Sequence, residues 1–226
     1  MATMRWDIVL IGGASGIGKS RAAARLAGGS GAFVVEFDDV VSAVQEITTA
    51  AQHPGLHHFD DPVETESLSA ERELELQIAT ARALEPAVLG VVRNRLTVDV
   101  PSVVEGDYLT PAAAARAVEA GRAAGRRVRA VFLHEPDAAR ITANYAAREP
   151  GCGAQVRRAE VGARYSRWLA EQARRHDLPV VECRPWDTLA ARLDEALRTT
   201  PDEARGGMPV AAATPDPAVR QPGRQP

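Results

Sequence analysis

The sequence predicts an α/β fold in which a five-stranded parallel sheet is covered by helices on both faces. Two observations predict it. Short apolar runs alternate with helical segments along the whole chain, and the first run leads directly into a glycine-rich turn that opens a helix. A length of 226 residues suits one such domain with peripheral segments, and the chain is read as one domain over 1–200 followed by a tail.

Arg5 to Gly12 reads as a buried strand because Ile8, Val9, Leu10 and Ile11 form the continuous apolar run of a strand covered on both faces. A helix over Lys19 to Ala27 closes at Gly28-Gly29, and a second strand over Ala32 to Phe37 ends in Asp38-Asp39. Val40 to Ala51 reads as helix. Gln52 to Glu66, with Pro54, Gly55 and Pro62, reads as an irregular acidic loop. A long helical stretch begins at Ser67, with Ser69 as the alternative cap, and Pro86 kinks or restarts it before Val88 to Leu96. Pro101 to Glu105 is the third strand, Thr110-Pro111 opens an alanine-rich helix, and Arg127 to Leu133 is the fourth strand. Helices over Pro136 to Arg148 and Val156 to His176 flank a glycine-containing break, and Pro179 to Cys183 makes the fifth strand. A last amphipathic helix carries Leu189, Leu193 and Leu197. Beyond it, residues 201–226 are proline-rich and poor in large apolar side chains, and read as disordered.

The hydrophobic fraction of 45%, the charged fraction of 25% and a net charge of −3 are those of an ordinary globular protein and give no sign of nucleic-acid binding. The apolar run at Ile8 to Ile11 is too short to span a bilayer and follows no signal-peptide pattern, so a cytoplasmic protein is expected, as monomer or homodimer. Cys152 and Cys183 make no disulfide framework, and His53, His57 and His58 lack partners at metal-ligand spacing.

The turn Gly13-Ala14-Ser15-Gly16-Ile17-Gly18-Lys19-Ser20 satisfies G-x-x-x-x-G-K-[ST], between a buried strand and a helix. Backbone N–H groups there would cradle the phosphates of ATP, Lys19 would neutralise the β- and γ-phosphates, and the Ser20 hydroxyl would ligate Mg²⁺. Among 27 basic residues Lys19 is the only lysine. A chain otherwise committed to arginine keeps a compact ammonium at the one place where a planar guanidinium is a poor substitute.

Asp38 and Asp39 stand where an acceptor hydroxyl would lie; a carboxylate there can take its proton, orient it, or reach Mg²⁺ through water. Either acid could instead cap the following helix. Glu105, in the run Glu105-Gly106-Asp107, would hold a Mg²⁺ water or an acceptor hydroxyl, or would simply end a strand in a solvated turn. Arg148, Arg157 and Arg158 flank the break at Pro150 to Gly153, and one of them is expected to close on the transferring phosphoryl group as part of a lid over about 148–158. Trp186 reads as stacking on the nucleotide base or as packing for the last helix.

These residues together resemble the small-molecule kinase branch of P-loop proteins, which includes 2-phosphoglycerate kinase, chloramphenicol phosphotransferase, gluconate kinase and shikimate kinase. The likeness is carried by Ile11 to Ser20, Asp38-Asp39, Val103 to Gly106, and the helix-break-helix with Arg148 and Arg157. It implies the three-layer P-loop fold with strand order 2-3-1-4-5, ATP and Mg²⁺ as cofactors, and a catalytic set of Lys19, Asp38, Arg148 and Arg157. It also implies substrate contacts from Asp38, Asp39 and Glu105, an adenine pocket built partly by Arg184 and Pro185, and an acceptor-binding insertion over about 40–98. The reaction implied is transfer of the γ-phosphate to a hydroxyl of a metabolite, sugar-like compound or antibiotic. A nucleotide kinase would show basic residues in the acceptor region, yet residues 40–80 contain only Arg72, which favours a neutral or cationic acceptor. A nucleotide-dependent switch is the non-catalytic alternative.

Overall fold

A computed structural model of the chain describes residues 6–198; the tail expected over 201–226 lies outside the described residues. Strands β1 (Ile8–Gly12), β2 (Phe33–Glu36), β3 (Ser102–Gly106), β4 (Val128–His134) and β5 (Val180–Glu182) form one sheet. Their order is β2-β3-β1-β4-β5, and every pairing is parallel. The strand order is the one expected.

β1 and β3 are buried at every position, which requires cover on both faces. That cover comes from α1 (Lys19–Ser30), α5 (Glu85–Leu96), α6 (Pro111–Ala123), α8 (Val156–Arg175) and α9 (Leu189–Arg198). β2 is one of the two edge strands, and its Phe33 is 60% exposed. Among the described residues no helix is long and apolar enough to cross a membrane.

Between β2 and β3 the chain builds α2 (Phe37–Glu46), a 3₁₀ turn (Pro54–Leu56), α3 (Pro62–Ser67), α4 (Ala70–Ala83) and α5. Three sequence expectations change here. The second strand ends at Glu36, paired with Glu105, so Asp38 and Asp39 lie in the first turn of α2 rather than on a strand end. The cause is Phe37, fully buried against Gly106, where any Cβ would meet the Phe37 side chain at 2.8 Å; that anchor starts the helix early, and two acids suit its positive end. Residues 62–66, read as loop, belong to a short helix over Pro62–Ser67. Of the two candidate caps, Ser69 is the one that acts: its hydroxyl accepts from the Arg72 N–H at 3.2 Å.

α7 (Ala138–Arg148) and α8 pack together on either side of the break at 149–155, as the sequence implied.

Candidate active site

The carboxyl ends of β1, β3 and β4 and the start of α2 converge on the loop from Gly13 to Gly18. Gly18 precedes α1 with left-handed dihedrals (φ 95°) and no side-chain cap, so the first N–H groups of the helix are left for a ligand, as an anion site demands. Gly16 is also left-handed (φ 74°), and a Cβ there would lie 2.6 Å from the Tyr145 ring, while one at Gly18 would overlap Trp186. Both glycines are therefore required twice, by dihedral and by space. Ala14 and Ile17 are buried, Ser15 is half-buried, and Gly13 packs against Leu133.

Side chains from distant elements hold the loop in place. Asn144 on α7 donates to the Gly16 carbonyl at 2.9 Å and accepts from Arg184 at 3.2 Å. Arg184 stacks over Trp186 at 4.8 Å, and Trp186 covers Gly18. Trp186 thus packs against the phosphate loop and also borders a 570 Å³ groove between α1 and α9. The carbonyl of Pro185 is taken by Arg192 at 2.8 Å.

Lys19 is 5% exposed, donates to the Ala14 carbonyl at 3.0 Å and forms an ion pair with Asp107. Burial pulls the ammonium pKa down, but Asp107, then Glu105 and Asp38, more than offset it, and the pKa lies above the ordinary lysine value. Ser20 hydrogen-bonds the buried Glu105, whose carboxyl is raised chiefly by desolvation, with Glu36 and Asp107 adding to the rise. Asp38 accepts from the Asp107 N–H at 3.1 Å, so its side chain reaches across to β3 instead of capping its own helix. Gly106 leaves the room for this: a Cβ there would sit 3.2 Å from the Asp38 carboxylate.

Asp38, Glu105 and Asp107 thus surround one ammonium and one hydroxyl. Asp39, exposed on α2, makes no hydrogen bond or ion pair with any described residue. Tyr108 closes the same crevice; burial first, then Asp107 and Asp38, push its phenol up to about 12, while Arg158 opposes them.

The lid arginines separate. Arg148 is paired with Glu149 at 2.9 Å and lies 5.4 Å over the Tyr145 ring. Arg157, expected at the phosphates, instead reaches α4, bonding Glu73 at 3.1 Å and the Leu68 carbonyl. The neighbouring Arg158 lies beside the loop: it stacks on Tyr145 at 4.3 Å, is held by Gln155 at 2.7 Å and Glu149 at 3.1 Å, and comes within 3.5 Å of the Ser15 hydroxyl. On a helix, adjacent residues point about 100° apart, so only one of the pair can face the loop.

Sequence reasoning did not assign roles to Asp107, Asn144, Tyr145 or Tyr108. Only the first carried a signal, in the Glu105-Gly106-Asp107 run at a strand end.

Asp38 supplies a stability prediction. Its carboxyl is pushed up from 3.8 to about 6, first by desolvation and then by Asp107, against the pull of Lys19. The folded chain therefore holds that proton more tightly than the unfolded chain, so this group's contribution is complete below pH 3.8 and is lost as the pH rises through about 6. In metal-free protein, denaturant titrations across that window should show Asp38→Asn losing less stability with rising pH than wild type. Equal slopes would mean the carboxylate carries no such burden.

The AAA domain family matches residues 8–171. No curated protein matches the sequence. Among solved structures the chain is similar to a gluconokinase from Sinorhizobium meliloti 1021, at 16% identity and a TM-score of 0.55, over 90% of this chain and 98% of that one. It is also similar to the shikimate kinase from Acinetobacter baumannii in complex with shikimate, at 12% identity and a TM-score of 0.49, over 90% and 96% of the two chains. The gluconokinase likeness is one of fold, and with a family match that spans most of its length, this chain belongs to the AAA domain family.

Proposed function

We propose that this protein is an ATP-dependent phosphotransferase that moves the γ-phosphate of ATP to a hydroxyl of a small molecule, a metabolite, sugar-like compound or antibiotic. The observation that carries the reading is the placement of Asp38 in one crevice with Lys19 and Ser20: Asp107 bonds both Asp38 and Lys19, and Glu105 holds Ser20. A loop built only to bind nucleotide needs no partly desolvated carboxylate facing it. A kinase needs one to accept the proton of the attacking hydroxyl.

Lys19 and the N–H groups at the start of α1 fit the phosphates by charge and by geometry. Among the described residues no three His, Cys, Asp or Glu side chains form a metal cage. The Ser20 hydroxyl and the Asp38 carboxylate are hard oxygens of the kind that would hold Mg²⁺, which binds through one or two protein oxygens and phosphate oxygens. Bound there, Mg²⁺ would supply neutralisation of phosphate charge. Asp107 guards Lys19 until phosphates compete for it. Arg158, with Arg148 beside it on Tyr145, is the arginine we assign to the phosphoryl group, in preference to Arg157. The fold likeness to a gluconokinase supports the reaction class and leaves the acceptor open.

The test is ADP release from Mg·ATP across hydroxyl-bearing sugars, sugar acids, nucleosides and antibiotics. Release that depends on one acceptor class establishes the transferase. Release independent of every acceptor, or binding without release, replaces it with a regulatory ATPase.

A further inference from the structure

The segment between β2 and β3 forms an open surface pocket of 380 Å³ that shares no lining residue with the crevice just described. Leu68, between α3 and α4, and Leu76 on α4, with Ala50 and Pro54, give it an apolar body. Its polar lining is Arg72, His57 and His58, with the neutral Thr65. The volume lies in the range of small-molecule sites.

The three side chains are prepared to different degrees. The His57 side chain is 5% exposed, and both ring nitrogens are engaged within the fold, Nδ1 with Asp60 at 2.7 Å and Nε2 with Thr48 at 3.0 Å, which fixes the plane of the ring in the wall. His58, half-buried beside it, hydrogen-bonds none of the described residues. Arg72 spends one terminal nitrogen on Glu75 at 2.8 Å, and the rest of its planar fork bonds no described residue. A guanidinium with open donors and an unpartnered imidazole, set on an apolar floor, match a planar or tetrahedral oxyanion on a small carbon skeleton.

We infer that this pocket is a binding site for a small organic anion, a carboxylate or a phosphate ester of metabolite size, distinct from the phosphate loop. The site also touches the catalytic end of the molecule: the carbonyl of Leu68, in its wall, is the group that takes Arg157, whose neighbour Arg158 sits at Ser15. A ligand here occupies the same wall that positions the start of α8.

The experiment uses the whole chain without nucleotide or metal, and follows the His58 ring signal by nuclear magnetic resonance while inorganic phosphate or malonate is titrated in. Wild type and Lys19→Ala should show the same saturable shift, because the site does not involve the loop. In Arg72→Ala the same titration should need at least tenfold more anion. Arg72 is 57% exposed and paired only with an exposed glutamate, so its removal leaves the fold intact, and an unchanged circular dichroism spectrum verifies that. Stronger binding of phosphate marks a phosphate ester as the natural occupant, and stronger binding of malonate a carboxylate; either supports the site. An absent shift, a shift lost in Lys19→Ala, or one undiminished in Arg72→Ala overturns it. No arm depends on ATP turnover, so this test and the kinase test fail separately.

Discussion

Lys19→Ala removes Mg·ATP turnover, with an expected loss on the order of a thousandfold, the upper scale for deleting one group that stabilises transition-state charge. Loop glycines and helix amides persist in the variant, so residual nucleotide affinity comes from backbone donors alone. The substitution has a second consequence that a sequence motif would not reveal. Lys19 is buried and is the cation around which Asp107, Glu105 and Asp38 are arranged. Its removal leaves those carboxylates facing one another, and taking one partner from a buried pair costs about 3–5 kcal/mol. Because Asp107 is partly solvated, the lower end applies here. Lys19→Ala with Asp107→Asn should recover much of that stability while recovering no turnover. Paired denaturant and kinetic measurements check this; turnover regained by the double variant would show that Lys19 matters only as a counter-ion to Asp107.

Asp38→Asn should lower acceptor-dependent turnover by about a hundredfold or more, the usual contribution of a general base, while leaving nucleotide affinity near wild type. The asparagine side-chain oxygen can still accept from the Asp107 N–H, so the start of α2 stays in place and the loss reports proton transfer rather than misfolding. Asp39→Asn is the internal control, because Asp39 bonds none of the described residues while Asp38 accepts from the Asp107 N–H. A large effect at Asp39 with none at Asp38 would place the acceptor on the outer face of α2 and end the proposed geometry.

Much of this site was legible in one dimension because its parts are contiguous. Gly13 to Ser20 carries its own structural context, whereas the strand order came only as what the family resemblance implied. Asp38 was legible as chemistry but not as geometry. The burial of Phe37 against Gly106, a contact between residues far apart in sequence, decides that the acid lies on a helix and points at β3. The exchange of Arg157 for Arg158 shows the same limit. Neighbouring arginines are equivalent in a sequence, but helical rotation sends one to Glu73 and the other to Ser15.

The sequence by itself determined the α/β alternation, the phosphate loop and the identity of its lysine, because apolar periodicity and turn glycines are local properties. Tertiary structure alone decided which acid pairs with Lys19, which arginine faces the loop, and that Asn144, Tyr145 and Trp186 brace it. Those outcomes depend on burial and charge summed over segments that meet only when the sheet has formed. Desolvation and Coulomb interaction act through space, and no spacing along the chain encodes them.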